Sequence, residues 1–396
     1  PVYNTRPEIL EKTIKDLYMQ TSLPIYVIND ASSKKDTIEC LNKLERYGLI
    51  QVIHHEKNKG KIEALATGIK EGNVTYPFFI DDDVIIRINH INYKVESLDD
   101  VVKEEIYILS QSEESCCVVY PVGARNKNKS IITRIQDLEH IISTYYIRKL
   151  LGDGLFVNGT GSLWKADEFW RIYELHSKLH EADDLETSLI IYKLRREIIF
   201  SDKLFLLAEM KENFKEWFIQ RLSWEYSKWR LIRSYWKEII AAPNDVLYYF
   251  ASISLLLSFV HNISAITFSI ALLSSILANN HFRRPFRRKA KEMIIYMPYI
   301  GLLANVYPPI LLVAPFYYYM LLNTIRKKYR IQHEKISLNN VLQLLVYTSF
   351  YLLILQPAGL AYRVYRGIKK RLSLQGMLEK FILLNMNNGE IKYEVL

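Results

Sequence analysis

Between residues 1 and 80 the apolar positions switch repeatedly from helical to strand spacing. Ile9, Leu10, Ile14 and Leu17 recur at helical intervals and predict a helix over 8–20. Ile25 to Ile28 is a short β-rich run that stops at Asn29-Asp30. A second helix is expected over 37–47, a strand over 50–53, and a third helix over 61–70 with Ile62, Leu65, Ala66 and Ile69 inward. Tyr76 to Ile80 is an apolar run that ends abruptly in Asp81-Asp82-Asp83. This alternation with short connections predicts a doubly wound α/β sheet. Ligands of such sheets collect beyond the carboxyl ends of the strands, where Asp30 and Asp81–Asp83 fall. Pro1 to Asn4 reads as the end of a strand whose body lies before residue 1.

The pattern changes after residue 210. Phe218, Leu222, Trp229, Ile232 and Trp236 share one helical face, with Lys215, Arg221, Lys228, Arg230 and Arg233 interspersed. That composition suits a helix lying in a membrane interface. Long apolar runs follow. Val246 to Asn279 is interrupted near His261-Asn262 and reads as a hairpin of two short spans, since one helix needs about 20 residues to cross. Met293 to Leu322 is broken at Tyr307-Pro308-Pro309, and Val341 to Tyr362 is a third stretch, re-entrant or interfacial. Three basic clusters, at 281–289, 326–330 and 363–371, are expected on the cytoplasmic side. The resulting division is 1–210, an α/β domain; 211–245, interfacial helices; 246–371, a region of about four spans plus the re-entrant segment; and 372–396, a tail.

Composition narrows the picture further. With 49% apolar residues and few Gly and Pro, the chain is neither disordered nor collagen-like. Its three cysteines cannot make a disulfide framework and point to a reducing compartment. The net charge of +9 comes from basic residues beside apolar runs, so it does not indicate nucleic acid. No Gly-x-Gly-x-x-Gly and no Walker loop follows the first strand, which excludes the usual dinucleotide and P-loop sites.

The remaining chemistry is carboxylate chemistry. Asp81–Asp83 at a strand end is either a solvated acidic turn or a site for a hard divalent cation bridging a diphosphate. Asn158-Gly159-Thr160-Gly161-Ser162 is a small-residue turn, structural or open to close approach by a substrate. Asp183 and Asp184 precede an apolar helical run and are either helix caps or a general base. Gln220 to Trp224 lies within the basic-aromatic helix.

In this order the pieces resemble the membrane-embedded members of glycosyltransferase family 2, the group of hyaluronan, cellulose and chitin synthases and their lipid-glycosylating relatives. The resemblance implies a GT-A type nucleotide-sugar domain followed by interfacial helices and a C-terminal α-helical membrane domain. Pro-Val-Tyr-Asn matches the opening motif, with Tyr3 packed on the nucleotide base, and Asp30 takes the base-bonding position. Lys61 matches the lysine that meets the diphosphate. Asp81 falls to the donor and Asp83 to the metal, Mg²⁺ or Mn²⁺. Gly159, Thr160 and Gly161 fall at the acceptor side. Asp184 is the catalytic base of the Gly-Asp-Asp-like motif. Gln220 to Trp224 resembles Gln-x-x-Arg-Trp, in which Gln220 meets the diphosphate and Trp224 the acceptor sugar.

Two positions depart from that pattern. Ser223 stands in place of the motif's arginine. Arg221 is a neighbouring donor-side candidate that points about 200° away on a regular helix. Gly159 stands where polymer synthases often carry Cys. The resemblance implies an inverting, integral membrane enzyme with a cytoplasmic catalytic domain. It would move a sugar, expected from a UDP-sugar, to a growing polysaccharide or alternatively to a membrane lipid. A degenerate, non-catalytic membrane scaffold is the alternative from another class.

Overall fold

The structure, a computed structural model, describes residues 1–241 apart from 91, 94, 153, 155 and 179–182, then 314–350 and parts of 354–368. The first three α/β units form as the spacing predicts. Helix α1 (Pro7–Tyr18) opens on a proline, whose fixed φ suits the first turn, and buries Leu10, Ile14 and Leu17. Strand β1 (Tyr26–Asn29), helix α2 (Lys35–Arg46) and strand β2 (Gln51–His54) follow, and the two strands pair in parallel. Val2 makes a parallel bridge to Asn29. Helix α3 (Lys61–Gly72) begins after Gly60, whose φ of 91° is a backbone state that glycine adopts without strain.

Beyond α3 the topology is mixed rather than a run of parallel α/β units. Strands β3 (Phe78–Ile80) and β4 (Val84–Ile88) precede helix α4 (Leu98–Gln111), strand β5 (Ser115–Val119) and strand β6 (Val122–Ala124). Helix α5 (Ile131–Ile141) passes through a π-helical turn at Ile142–Tyr146 into helix α6 (Ile147–Leu151). Strand β7 (Gly161–Trp164), helices α7 (Ala166–Leu175) and α8 (Asp183–Lys193), and strands β8 (Glu197–Phe200) and β9 (Leu204–Ala208) complete the α/β part. One sheet has the order β3-β7-β5-β8 and another β4-β9-β6. The β3–β7 and β4–β9 pairs are antiparallel, while β5–β8 and β6–β9 are parallel. These long-range partners flank the Asp81–Asp83 corner between β3 and β4.

Helix α9 (Phe214–Ala241) is kinked at Tyr235, where φ −129° and ψ 30° leave the helical region. Its domain-facing side is Trp217, Arg221, Glu225, Leu231 and Tyr235, all buried. That stripe is offset by one residue from the face beginning Phe218 and Leu222, which is only half-buried. The side chains of Trp229, Ile232 and Trp236 lie outside the described residues.

Two more helices, α10 (Ala314–Lys328) and α11 (Leu338–Phe350), pack on the α/β part. Leu322, Ile325, Ile331, Ile336 and Val341 form one core cluster with Ile141, Tyr145 and Tyr146. Polar contacts reinforce it: Asn92 Nδ2 donates to the Arg330 carbonyl at 3.2 Å, and Lys127 pairs with Glu334 at 2.7 Å. The end of the Met293–Leu322 stretch and the start of the Val341–Tyr362 stretch are thus domain-packed. Among the described residues no helix is long and apolar enough to cross a membrane. The stretch Val246–Asn279 and the tail 372–396 lie outside the described residues.

Candidate active site

The carboxyl end of β3 is the meeting point of three segments distant in sequence. Ile80 pairs with Gly161 across the antiparallel β3–β7 ladder, and the Asp81 N–H donates to the Thr160 carbonyl at 3.2 Å. The small-residue turn therefore sits directly beside the aspartates. Lys61, at the first position of α3, extends its ammonium between the Asp81 carboxylate and the Gly159 carbonyl and bonds to both. A Cβ built on Gly159 would lie 3.3 Å from Asp184 Oδ2 and 3.7 Å from Lys61 Nζ. Lys61, Asp81–Asp83, Gly159 and Asp184 thus form one cluster.

Electrostatics follow from this crowding. Burial opposes the charge of Lys61, but Asp81, Asp184 and Asp82 outweigh it and raise its pKa. Burial also raises the Asp82 carboxyl, opposed by the Thr5 hydroxyl that donates to it. Asp83 is pushed up to about 7, first by burial and then by the negative charges of Asp81 and Asp82, with Lys61 and Lys211 opposing. A carboxylate in that field takes up either a proton or a cation. Among the described residues no three His, Cys, Asp or Glu side chains form a closed metal cage. The donor set fits an open site of hard oxygens, Asp83 with Asp81, that a ligand's own oxygens would complete.

Asp184 reaches solvent at the rim of the cluster, yet the surrounding protein atoms raise its pKa by desolvation, with Lys61 pulling the other way. The same carboxylate accepts from the Gly159 N–H and, at 2.8 Å, from the Leu185 N–H. Asp184 is therefore both a helix-start acceptor and a carboxyl with an elevated proton affinity. Ser188 Oγ, donating to the Asp184 carbonyl at 2.7 Å, and to which the Val157 N–H donates at 3.0 Å, ties this helix start to the turn.

The other expected site residues separate into two groups. Tyr3 is exposed just beyond the end of β1, with its ring open to solvent. Thr160 is half-buried in the turn. Gly161 is buried in β7, and a Cβ there would meet Leu206 Cδ1 at 2.5 Å, so packing requires this glycine rather than close approach of an acceptor. Asp30 is buried, and its carboxylate is engaged by the chain itself: it accepts from the Lys59 and Gly60 N–H groups at 2.9 and 2.8 Å and from His55 at 2.7 Å.

On α9, Ser223 and Trp224 are exposed and Gln220 is half-buried. Arg221 is fully buried, 2.5 Å from Glu139 and with its guanidinium 4.0 Å over the Trp224 ring. That pairing directs it to α5 rather than to the aspartate cluster. Arg230 is directed to Glu186 of α8, at 3.9 Å.

Three residues that shape the cluster carried no sequence signal of their own. Arg148 donates to the Phe156 carbonyl at 2.8 Å and to Asn158 Oδ1 at 2.7 Å, and Asn158 Nδ2 donates to the Tyr120 carbonyl at 2.9 Å. These bonds fix the turn that presents Gly159. Lys211 acts on Asp83 because β9 pairs antiparallel with β4, placing Ala208 opposite Val84. His55 braces Asp30. Only the strand register makes Lys211 relevant, and no local motif encodes that register.

Residues 1–103 match the family described as Glycosyl transferase family 2. That segment holds Tyr3, Asp30, Lys61 and the aspartates; Gly159, Asp184 and α9 lie beyond it. No curated protein sequence matches the chain. Among solved structures, GalNAc-T7 with UDP, GalNAc and Mn²⁺ is 13% identical, over 53% of this chain and 43% of that one, with a TM-score of 0.39. The mannosyltransferase PcManGT from Pyrobaculum calidifontis, in complex with GDP-Man and Mn²⁺, is 14% identical over 84% of this chain and 86% of that one, with a TM-score of 0.43.

Proposed function

We propose that this chain is an inverting glycosyltransferase that moves a sugar from a nucleotide-diphosphate sugar, a UDP-sugar in the first instance, to a growing polysaccharide. The observation that carries the reading is the single cluster in which Lys61 and Asp81–Asp83 meet the Gly159 turn and Asp184. Lys61 exchanges its contacts with Asp81 and the Gly159 carbonyl for the incoming diphosphate. Asp83, with Asp81, would hold a Mg²⁺ or Mn²⁺ ion, which would supply positive charge to the leaving diphosphate. Asp184, across Gly159, takes the proton of the acceptor hydroxyl as that oxygen attacks the anomeric carbon. A base on one face and the leaving group on the other give inversion in a single displacement.

A membrane lipid is the second acceptor reading. It is supported by Phe214, Ile219 and Trp224, all exposed along α9 beside the site-bearing helix α8. We place the protein at a membrane, with its catalytic domain on the cytoplasmic side. Phe316, Met320, Leu342 and Val346, exposed near the basic run Arg326–Arg330, support that placement. The test is purified protein with UDP- and GDP-sugars, Mn²⁺ and liposomes, following released nucleotide and product size. Long soluble chains support the polymer reading, and a singly glycosylated lipid supports the second. No nucleotide release from any donor would overturn the enzyme reading.

A further inference from the structure

The loop that carries Lys61 is held from beneath by a buried pair. Asp30, at the end of β1, has a side chain only 6% exposed, and His55, just after β2, has one 4% exposed. A carboxylate only accepts, so His55 Nδ1 donates to Asp30 Oδ1, at 2.7 Å. The other ring nitrogen, Nε2, is 2.9 Å from Thr67 Oγ1, whose hydroxyl also lies 3.0 Å from the Glu63 carbonyl. The imidazole is therefore fixed at both edges, one to β1 and one to the body of α3. The His55 N–H adds a bond to the Asn29 carbonyl at 2.9 Å.

Asp30 in turn takes the N–H groups of Lys59 and Gly60, the two residues before α3. Gly60, the N-cap of α3, has no side chain to fix it, so Asp30 anchors from another element the two N–H groups that lead into the helix. Lys61 is the next residue. Its ammonium reaches Asp81 and the Gly159 carbonyl only if the start of α3 keeps this position.

We propose that His55 is a positioning residue for the diphosphate. It orients Asp30, Asp30 holds the head of α3, and the head of α3 aims Lys61. Asp30 accordingly acts through the backbone of the Lys61 loop. This inference rests on the glycosyltransferase reading for its ligand but not for its geometry.

The geometry is tested without ligand. Lysine acylation is followed by mass spectrometry in the wild type, His55→Ala, His55→Asn and Thr67→Val. Lys61 should be protected in the wild type and several-fold more reactive in His55→Ala. In His55→Asn the amide nitrogen can stand in for Nδ1, so protection should largely return. Thr67→Val, which leaves Asp30 its donor, should show an intermediate effect and remains informative if His55→Ala does not fold. Unchanged Lys61 reactivity in folded variants would overturn the proposal.

The ligand side is tested by calorimetry with UDP and UMP in Mn²⁺. His55→Ala and Asp30→Asn should weaken UDP about tenfold to a hundredfold, as loss of an orienting partner does. UMP, which lacks the second phosphate, should change little. Equal losses for UDP and UMP would return Asp30 to a base contact and overturn the proposal. Failure of the wild type to bind UDP would instead count against the proposed function, leaving the acylation result to decide the role of His55.

Discussion

The two sides of the cluster are built in different ways. The proposed donor side comes from consecutive α/β units: Asp30 follows β1, Lys61 starts α3, and the aspartates follow β3. Each of these residues owes its place to the element beside it. The proposed acceptor side has no such local origin. Gly159 reaches the aspartates through the antiparallel β3–β7 ladder, and Asp184 through the start of a helix braced by Ser188 and the Gly159 N–H. Residues placed by neighbouring sequence are recognisable from sequence, and the family match covers that side only, over residues 1–103. Residues placed by remote pairing need the fold.

The largest effect that would break this comparison belongs to Asp83. Asp83→Ala should abolish turnover, as should chelation, because no closed alternative cage exists among the described residues. The pH dependence follows from its raised carboxyl. A folded pKa of about 7 favours the protonated folded state below the ordinary carboxylate range, and that stabilisation is lost as pH rises through 7. A divalent cation replaces the proton, so Mn²⁺ should raise Tm more at pH 8 than at pH 5.5. Scanning calorimetry at both values checks this; an equal gain would place the ion elsewhere.

Lys61→Met comes next. It removes the ammonium that offsets Asp81, Asp82 and Asp184, so UDP should bind about ten- to a hundredfold more weakly, the loss of one charge-assisted contact. Titration of UDP measures it, and unchanged affinity would remove Lys61 from the diphosphate.

Gly159→Cys tests the acceptor side more gently. The added Cβ would stand 3.3 Å from Asp184 Oδ2, tight but not impossible, so transfer should fall less than tenfold while UDP affinity holds. A larger loss in UDP affinity than in transfer would show that the turn belongs to the donor side.

The smallest effect is expected at Ser223. Its side chain is exposed and Arg221 is already paired with Glu139, so Ser223→Arg should change UDP affinity by less than about threefold. Calorimetry showing a tenfold gain would mean that α9 reaches the diphosphate.

Much of this was legible from the chain. Helices α1, α2 and α3 fall where apolar spacing puts them, because each buries a stripe set by its own periodicity, and strands β1, β2 and β3 fall on the short apolar runs. What was not legible is instructive. A doubly wound pattern does not reveal that β4 and β9 run antiparallel, so Lys211 gave no sign of facing Asp83. The spacing of Gly161 suggested an open turn, whereas its missing side chain makes room for Leu206. The apolar face of α9 was misplaced by one residue because a buried Arg221–Glu139 pair shares the stripe with Trp217 and Leu231. Apolar length alone also gave no sign that Leu322 and Ile325 of α10 bury against the domain.

The central claim is that the donor and acceptor sides form one active site with Asp184 as its base. The direct measurement is Asp184→Asn, with UDP affinity by calorimetry beside sugar transfer on the same preparation. The amide keeps the shape but cannot accept the proton, so binding should stay within about twofold while transfer falls by about 10² to 10⁴. Transfer at the wild-type rate, or loss of UDP binding in place of transfer, would contradict the account.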